Sequence, residues 1–186
     1  MDKRLDALKQ YPRAMRFYVL TLYEIIRESK PNKVLSIGVQ NGISDKCILI
    51  AMGMNKFGTL VSVDQKHRET ILDAEYSDVK DRWKFIKGNS HSPETLQAVK
   101  DTLVDGEKFD ILFLDGDHRM PGIQQDWNDY MPLVKPGGLI IFHDTINPNE
   151  QVKEVWNHID WEKFNFTWGI ARSHIPVGFG ICRKPL

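Results

Sequence analysis

Two short apolar runs in this 186-residue chain each stop at an aspartate with a histidine close by. The runs end at Asp115 and Asp144, and the histidines are His118 and His143. Ligands of an open parallel sheet bind outside the carboxyl ends of its strands. Because neighbouring strands lie about 4.8 Å apart, both carboxylates can reach one hard cation. Left bare at about 5 Å, they would repel by roughly 3 kcal/mol at an effective dielectric near 20. The pattern therefore predicts a metal site, and the alternative is that both aspartates cap helices.

The composition indicates one globular domain, because 41% of the residues are hydrophobic and 27% are charged. Basic and acidic residues balance at 25 each, which argues against the basic footprint of a nucleic-acid binder. Cys47 and Cys182 have no metal-binding spacing, and the N-terminus lacks a signal-peptide core. The apolar runs are shorter than the roughly 20 residues of a membrane span. We therefore expect a cytoplasmic domain over residues 1–186, with an N-terminal helical extension over 1–31, that binds neither nucleic acid nor membrane.

Hydrophobic periodicity predicts alternating strands and helices beyond residue 32. Strands are predicted over 33–38, 59–64, 83–87, 109–115 and 138–144, and helices over 44–54, 69–78, 93–103, 122–133 and 150–158. This alternation favours a parallel sheet covered by helices. Runs 164–170 and 177–183 predict a terminal antiparallel hairpin, joined by a loop that contains Arg172 and His174. A helix over 11–29 has an apolar stripe, which predicts a core face or a contact between copies in a homo-oligomer.

A glycine-containing turn follows the first predicted strand and opens the next helix. Gly38 and Gly42 allow a ligand to approach the backbone closely. Gln40 and Ile43 stand where the dinucleotide fingerprint requires glycine. The turn therefore disfavours a nicotinamide-dependent reductase without excluding one.

Polar residues end the second and third predicted strands. Asp64 can accept both hydroxyls of a ribose, or it is an ordinary turn residue. Asn89 and Ser90 follow Gly88 and have short side chains that can reach an adenine edge, although turn chemistry explains them equally well. A nucleoside-containing ligand would bind along these strand ends.

Together these motifs resemble the class I S-adenosylmethionine-dependent methyltransferases. Within that class they are similar to the metal-dependent O-methyltransferases related to catechol and macrolide-sugar O-methyltransferases and to the cephalosporin-hydroxylase-like group. The resemblance covers residues 33–184 and depends on the order and spacing of Val34-Leu35-Ser36-Ile37-Gly38 with Gly42, Val61-Ser62-Val63-Asp64, Gly88-Asn89-Ser90, Asp115-Gly116-Asp117-His118, Lys135-Pro136-Gly137-Gly138 and His143-Asp144-Thr145. It implies an α/β, Rossmann-like doubly wound seven-stranded sheet of order 3-2-1-4-5-7-6 with strand 7 antiparallel. The Lys135-Pro136-Gly137-Gly138 segment is predicted to end a helix and connect it to the next strand.

The resemblance also implies the ligands. S-adenosylmethionine is expected to contact Gly38, Gln40, Gly42, Ser44, Asp64, Asn89, Ser90 and Asp115. A divalent metal, Mg or Mn or else Fe, is expected on Asp115, His143 and Asp144. Two departures from the family pattern matter: Ser36 stands where many members have an acidic residue, and His143 stands where metal-dependent members often have a carboxylate. An imidazole ligand suits Mn, Fe or Zn better than Mg.

His118 occupies the position of the general base in the resembled families, and the alternative is that it caps a helix or pairs with Asp117. The resulting hypothesis is an O-methyltransferase that acts on a hydroxyl of a small molecule, such as a sugar or a phenol. Two other hypotheses remain: the nicotinamide-dependent reductase and a catalytically silent cofactor-binding module of the same fold. Arg172 is either a group that recognises an acidic acceptor or a solvated surface residue.

Overall fold

A twisted seven-stranded sheet forms the centre of the protein. The computed structural model describes residues 2–10, 14–68, 71–167 and 175–186. The strands are β1 (Lys33–Ile37), β2 (Thr59–Asp64), β3 (Trp83–Lys87), β4 (Phe109–Leu114), β5 (Val134–His143), β6 (Lys163–Phe166) and β7 (Phe179–Arg183). They lie in the order β3-β2-β1-β4-β5-β7-β6. Strands β1 to β5 pair in parallel, and β7 pairs antiparallel with both β5 and β6. The predicted strand order, the reversal of strand 7 and the terminal hairpin are confirmed.

Helices cover both faces of the sheet. They are α1 (Lys3–Lys9), α2 (Val19–Ser29), α3 (Ile43–Asn55), α4 (Pro93–Lys100), α5 (Gly122–Tyr130) and α6 (Val152–His158). Side chains alternate across each strand, so Phe113 of β4 belongs to the apolar cluster that includes residues of α1, α2 and α3, whereas Leu112 belongs to the cluster that includes residues of α4, α5 and α6. No helix in the described part of the chain combines the length and the apolar composition that crossing a membrane requires.

Several helix boundaries differ from the sequence predictions by a few residues. The predicted helix over 11–29 is a 3-10 turn, Ala14–Phe17, followed by α2, and residues 11–13 lie outside the described ranges. Helix α5 ends at Tyr130 and continues as the 3-10 turn Met131–Leu133. The predicted hairpin loop, with Arg172 and His174, also lies outside the described residues.

The helix predicted over 69–78 is wrong over its described part. The chain instead forms two 3-10 turns, Ala74–Tyr76 and Lys80–Arg82. Asp73 starts the first turn by accepting a hydrogen bond from the backbone N–H of Glu75 at 3.1 Å. The segment still buries its apolar side chains, Leu72, Tyr76 and Val79. Short turns can bury apolar side chains as a helix does, so the sequence pattern did not determine the backbone conformation here.

The interpretation of residues 135–138 as a connection between a helix and a strand is also wrong, because they belong to β5. The backbone of Lys184, just beyond β7, exchanges hydrogen bonds with this segment: the N–H of Gly137 donates to its carbonyl, and its N–H donates to the carbonyl of Gly138, each at 2.9 Å. The left-handed φ of +73° at Gly137 and a register shift against β4 accommodate the glycines. Pairing with the chain end therefore extends β5 through a Pro-Gly segment.

Candidate cofactor cleft and metal centre

The turn after β1 brings the backbone to the edge of a cleft of about 310 Å³. Gly38 has a φ of +89° and Gly42 a φ of +73°, and glycine adopts this left-handed region without steric cost. A Cβ atom at Gly38 would lie 2.1 Å from the carbonyl oxygen of Asp115, so the ends of β1 and β4 can approach this closely only with glycine there. Gly38 and Gln40 line the cleft, whereas Gly42 and Ser44 lie at the start of α3 and do not.

Asp64 ends β2 and also lines the cleft. Its Oδ2 accepts hydrogen bonds from the backbone N–H of Val39 at 3.1 Å and of Gln40 at 2.9 Å. Its Oδ1 accepts one from the N–H of Lys66 at 2.8 Å. Burial opposes ionisation of this carboxyl, but the three N–H groups lower its pKa below the usual value. Asp64 is thus an ionised carboxylate that fixes the glycine turn and still has acceptor capacity on Oδ1.

The loop after β3 contributes two polar residues to the cleft, Ser90 and His91. The predicted contact Asn89 is not part of the lining; its side-chain oxygen accepts a hydrogen bond from the N–H of His91 at 3.2 Å. Tyr130 anchors the loop, because its hydroxyl donates to the carbonyl of Ser90 at 2.7 Å. Sequence reasoning missed His91, and its only sequence signal was its position beside Ser90 at a strand end.

A buried carboxylate lies beside Ser36, the position at which the sequence lacks the acidic residue of many related chains. Asp45, in the first turn of α3, is fully buried, and its Oδ1 accepts a hydrogen bond from Ser36 Oγ at 2.8 Å. Burial raises the pKa of Asp45 to about 6. The chain therefore supplies a carboxylate at this location from the helix rather than from the strand.

Asp115, His118, His143 and Asp144 form a compact cluster beyond β4 and β5. His118 lies between the two carboxylates: its Nε2 is 3.1 Å from Asp115 Oδ1, and its Nδ1 is 3.2 Å from Asp144 Oδ2. His143 Nδ1 lies 3.3 Å from each of the same two oxygens. Donor atoms of Asp115, His118 and His143 all lie within 4.8 Å of one another. The structure thus brings together all four residues that the sequence singled out, and it adds His118 to the group of candidate ligands.

Electrostatic coupling within the cluster is strong. Burial opposes the charged forms of both histidines, but the two carboxylates raise the pKa of His118 and of His143 to about 10. Burial likewise opposes ionisation of Asp115 and Asp144, and the imidazoles reverse this effect, so that both pKa values fall below the usual range. Without a cation, the two carboxylates therefore favour the protonated form of both imidazoles.

The hydrogen bonding of the cluster fits a metal ion. His143 is 6% exposed, and neither of its ring nitrogens completes a directed hydrogen bond with the described residues. Asp144 Oδ1 is also buried without such a partner. A buried polar group without a partner costs about 1–3 kcal/mol, and coordination would satisfy it. Asp144 also has a left-handed φ of +62°, the kind of backbone strain that concentrates at functional sites.

The N-terminal extension covers one side of this cluster. Tyr18, just before α2, is fully buried, and its ring meets that of His143 edge-on at 6.3 Å. The same ring stacks on Phe179 of β7 at 5.0 Å. An acceptor at the cluster would therefore lie beside the N-terminal extension, whose pattern the sequence assigned to core packing or to a contact between copies.

Comparison with known proteins yields one family and a set of similar folds. Residues 35–145 match the family model described as a methyltransferase domain. An O-methyltransferase from Bacillus cereus, solved in complex with SAH, has a TM-score of 0.71 and 15% identity over 99% of this chain and 92% of that one. MycE, a methyltransferase of the mycinamycin biosynthetic pathway solved with Mg and SAH, has a TM-score of 0.52 and 20% identity over 68% of this chain and 31% of that one.

A curated relative matches only a short stretch. The uncharacterized protein R132 of Acanthamoeba polyphaga mimivirus is 43% identical over 51 residues, which are 27% of this chain and 22% of that protein.

Proposed function

This chain belongs to the methyltransferase domain family, and we propose that it transfers the methyl group of S-adenosylmethionine to a hydroxyl of a small molecule with the help of a divalent metal ion. The observation that carries the proposal is the double placement of Asp115, which lines the cleft and also contacts both histidines of the cluster. A methyl donor in the cleft and an acceptor at the cluster would then meet at one carboxylate. SAH in the Bacillus cereus structure, and Mg with SAH in MycE, support this arrangement.

In this proposal the cofactor lies against Gly38, Gln40, Asp64 and Ser90, with its ribose hydroxyls on the Oδ1 side of Asp64. Gly42 and Ser44 act indirectly by shaping the start of α3, and Asn89 by fixing the loop after β3. A bound cofactor would supply the methyl group on its sulfonium, and the carbon–sulfur bond would break as the acceptor oxygen bonds to that carbon, with adenosylhomocysteine as the leaving group. Such an in-line displacement depends mainly on the positioning of the two reactants.

Asp115, Asp144 and His143 would hold the divalent ion, which supplies Lewis acidity and makes the acceptor hydroxyl easier to deprotonate. His118 would take the proton from that hydroxyl. The two ring nitrogens of His118 contact the carboxylates of Asp115 and Asp144. These carboxylates raise the pKa of His118 to about 10. A cation on the same oxygens would offset their charge, so that His118 loses its excess proton affinity and can act as a base near neutrality.

The first test is cofactor binding by calorimetry, with the metal-loaded and the chelator-treated protein. Adenosylhomocysteine is expected to bind in both states, and NADH in neither. Asp64→Ala is expected to weaken binding by at least about ten-fold, because a hydrogen bond to a charged group contributes about 1.5–3 kcal/mol. Asp105→Ala, which removes a carboxylate from the exposed loop before β4 and outside the cleft lining, is the matched control. NADH binding without adenosylhomocysteine binding would instead support the reductase.

The second test is methyl transfer to a panel of sugar and phenol acceptors, before and after chelation. Activity is expected to disappear in chelator and to return with Mn or Fe more than with Mg, because of the imidazole ligand. His143→Asp is expected to shift the preference toward Mg. Cofactor binding without transfer to any acceptor would favour the silent module, and full activity in chelator would exclude the metal role.

A further inference from the structure

Gln151, at the start of α6, holds the loop that carries His118. Its backbone N–H donates a hydrogen bond to the carbonyl oxygen of His118 at 2.8 Å. Its side-chain Oε1 accepts a hydrogen bond from the backbone N–H of Met120 at 2.7 Å. One glutamine beyond β5 therefore binds the loop after β4 at two places, and one of these is the backbone of the proposed base.

Gln151 is itself held by α6. It is the N-cap residue of this helix, and its carbonyl oxygen accepts a hydrogen bond from the N–H of Glu154 at 3.0 Å. The next residue, Val152, is buried and belongs to the same apolar cluster as Leu112. Groups on regular elements with packed neighbours are positioned more accurately than groups on loops. Gln151 can therefore transmit the rigidity of the core to the loop of His118.

This attachment differs in kind from the other contacts of His118. The ring nitrogens of His118 contact Asp115 Oδ1 and Asp144 Oδ2, and the proposed function gives these carboxylates to a cation. A cation on those oxygens would compete with the imidazole for their lone pairs, so the ring contacts would weaken in the loaded enzyme. The two hydrogen bonds of Gln151 involve no carboxylate, and they therefore persist in both states.

We propose that Gln151 is a positioning residue that keeps His118 in place for proton transfer while a cation occupies the carboxylates. This inference rests on the proposed function. Gln151 is not part of the cleft lining, so its effect should fall on the transfer step and not on cofactor binding. A misplacement of about 1 Å at a catalytic group can lower a rate about 100-fold, which makes two hydrogen bonds beside the base important for turnover.

The first experiment measures hydrogen exchange at the Met120 amide by NMR, on the 186-residue chain with and without Zn²⁺, a diamagnetic ion that suits imidazole ligands. Gln151→Leu removes the acceptor and is expected to accelerate this exchange about ten-fold, the equivalent of one hydrogen bond. Gln151→Glu keeps an acceptor at the same reach and is expected to stay close to the wild-type rate. Added Zn²⁺ should leave the wild-type rate unchanged. Gln97→Leu is the matched control, because the exposed Gln97 bonds to Asp101 at the end of α4.

The second experiment measures methyl transfer to an acceptor from the sugar and phenol panel. Gln151→Leu is expected to lower kcat by about 10- to 100-fold, while the affinity for adenosylhomocysteine stays at the wild-type value. In the His118→Ala background the same substitution is expected to cause no further loss, because two residues that act through one group are not additive. The kcat of Gln151→Glu should lie above that of Gln151→Leu.

Melting temperatures show whether each variant folds, and Gln151→Ala replaces Gln151→Leu if the leucine is not tolerated. Unchanged exchange at Met120 in the folded variant, or faster exchange in the wild type with Zn²⁺, would overturn the inference. Equal losses of kcat with and without His118 would also overturn it, because the effect would not pass through the base. Absence of both adenosylhomocysteine binding and methyl transfer in the wild type would instead refute the proposed function, and exchange at Met120 would still show whether the attachment exists.

Discussion

The contacts that position His118 also oppose its proposed role as a base. Its contacts with Asp115 and Asp144 orient the ring, but the same contacts raise its pKa to about 10. An imidazolium cannot accept a proton, so at neutral pH the cation-free cluster would be a poor base. A cation on the two carboxylates removes this conflict, because the orientation remains while the attraction for the extra proton weakens.

We expect His118→Ala to lower kcat by about 10²- to 10⁴-fold with little change in adenosylhomocysteine affinity. Turnover of the wild type should rise with pH as His118 loses its proton, and the midpoint of this rise should lie lower at saturating metal than at limiting metal. Steady-state kinetics across pH measure both effects, with His158→Ala as a control distant from the cluster. Equal kcat values and identical pH profiles on a sugar hydroxyl would leave His118 with a structural role. A phenol, which is more acidic, should tolerate the substitution better.

At the scale of elements, one network joins the end of β1 to the first turn of α3. Asp45 accepts from Ser36, and nearby Trp83 Nε1 donates to Ser62 Oγ at 2.9 Å. Burial raises the pKa of Asp45 to about 6, against a usual value of 3.8. The folded protein thus favours the protonated carboxyl, and the cost of burying its charge grows as the pH rises from about 4 to above 6. The network therefore lowers stability at neutral pH.

We expect Asp45→Asn to gain stability relative to the wild type as the pH rises. The difference in unfolding free energy should shift in favour of the variant by about 1–3 kcal/mol between pH 4 and pH 7.5, since one pKa unit corresponds to about 1.4 kcal/mol. Urea denaturation at the two pH values measures it, with Asp105→Asn in the exposed loop before β4 as the control. Parallel stability curves for wild type and variant would contradict the assigned cost. A loss of cofactor affinity in the stabilised variant would explain why the carboxylate is kept.

The elements predicted correctly from the sequence are those whose hydrophobic pattern is compatible with only one type of secondary structure. The bounds predicted for β2 and β3 agree with the structure. Strand β2 follows Gly58 and is rich in Leu and Val, and β3 combines aromatic residues with Ile and ends just before Gly88. The helix predicted over 69–78 was wrong over its described part, because a spacing of apolar residues that suits one face of a helix also suits short 3-10 turns. The interpretation of residues 135–138 as a connection was wrong, because the hydrogen bonds that extend β5 through them come from Lys184. A contact this distant in the chain is not encoded in the local sequence.

For the whole molecule, the candidate site was predictable where chemistry follows strand ends directly. Asp64, Asp115, His143 and Asp144 each stand at such an end. Asp45 and Gln151 were not predictable as site residues, because only the tertiary fold shows that Asp45 is fully buried and that Gln151 binds the loop of His118. The N-terminal extension was predicted as a helical addition, but its attachment to the rest of the chain was not.

That attachment depends on Arg4 in α1. Its guanidinium binds Asp78 Oδ1 at 2.6 Å and the carbonyl of Glu75 at 3.0 Å, and it also pairs with Asp2. Its side chain is only 13% exposed, and it lies over the ring of Tyr76 at 5.4 Å. A single cation thus ties the first helix to the 3-10 segment between β2 and β3.

We therefore expect Arg4→Ala to lower the free energy of unfolding by about 1–3 kcal/mol, because it leaves several charge-assisted hydrogen bonds without a donor. Lys9→Ala is the matched control: Lys9 pairs with Asp6 on the surface of the same helix, and such pairs contribute about 0–1 kcal/mol. Urea denaturation of both variants gives the comparison. The 3-10 segment is also connected to the turn beside the cleft, because Ile71, just before this segment, packs against Gly42 at the start of α3. Arg4→Ala should therefore weaken adenosylhomocysteine binding slightly while Lys9→Ala leaves it unchanged. Equal stability losses in the two variants would show that the extension is held by its apolar face alone.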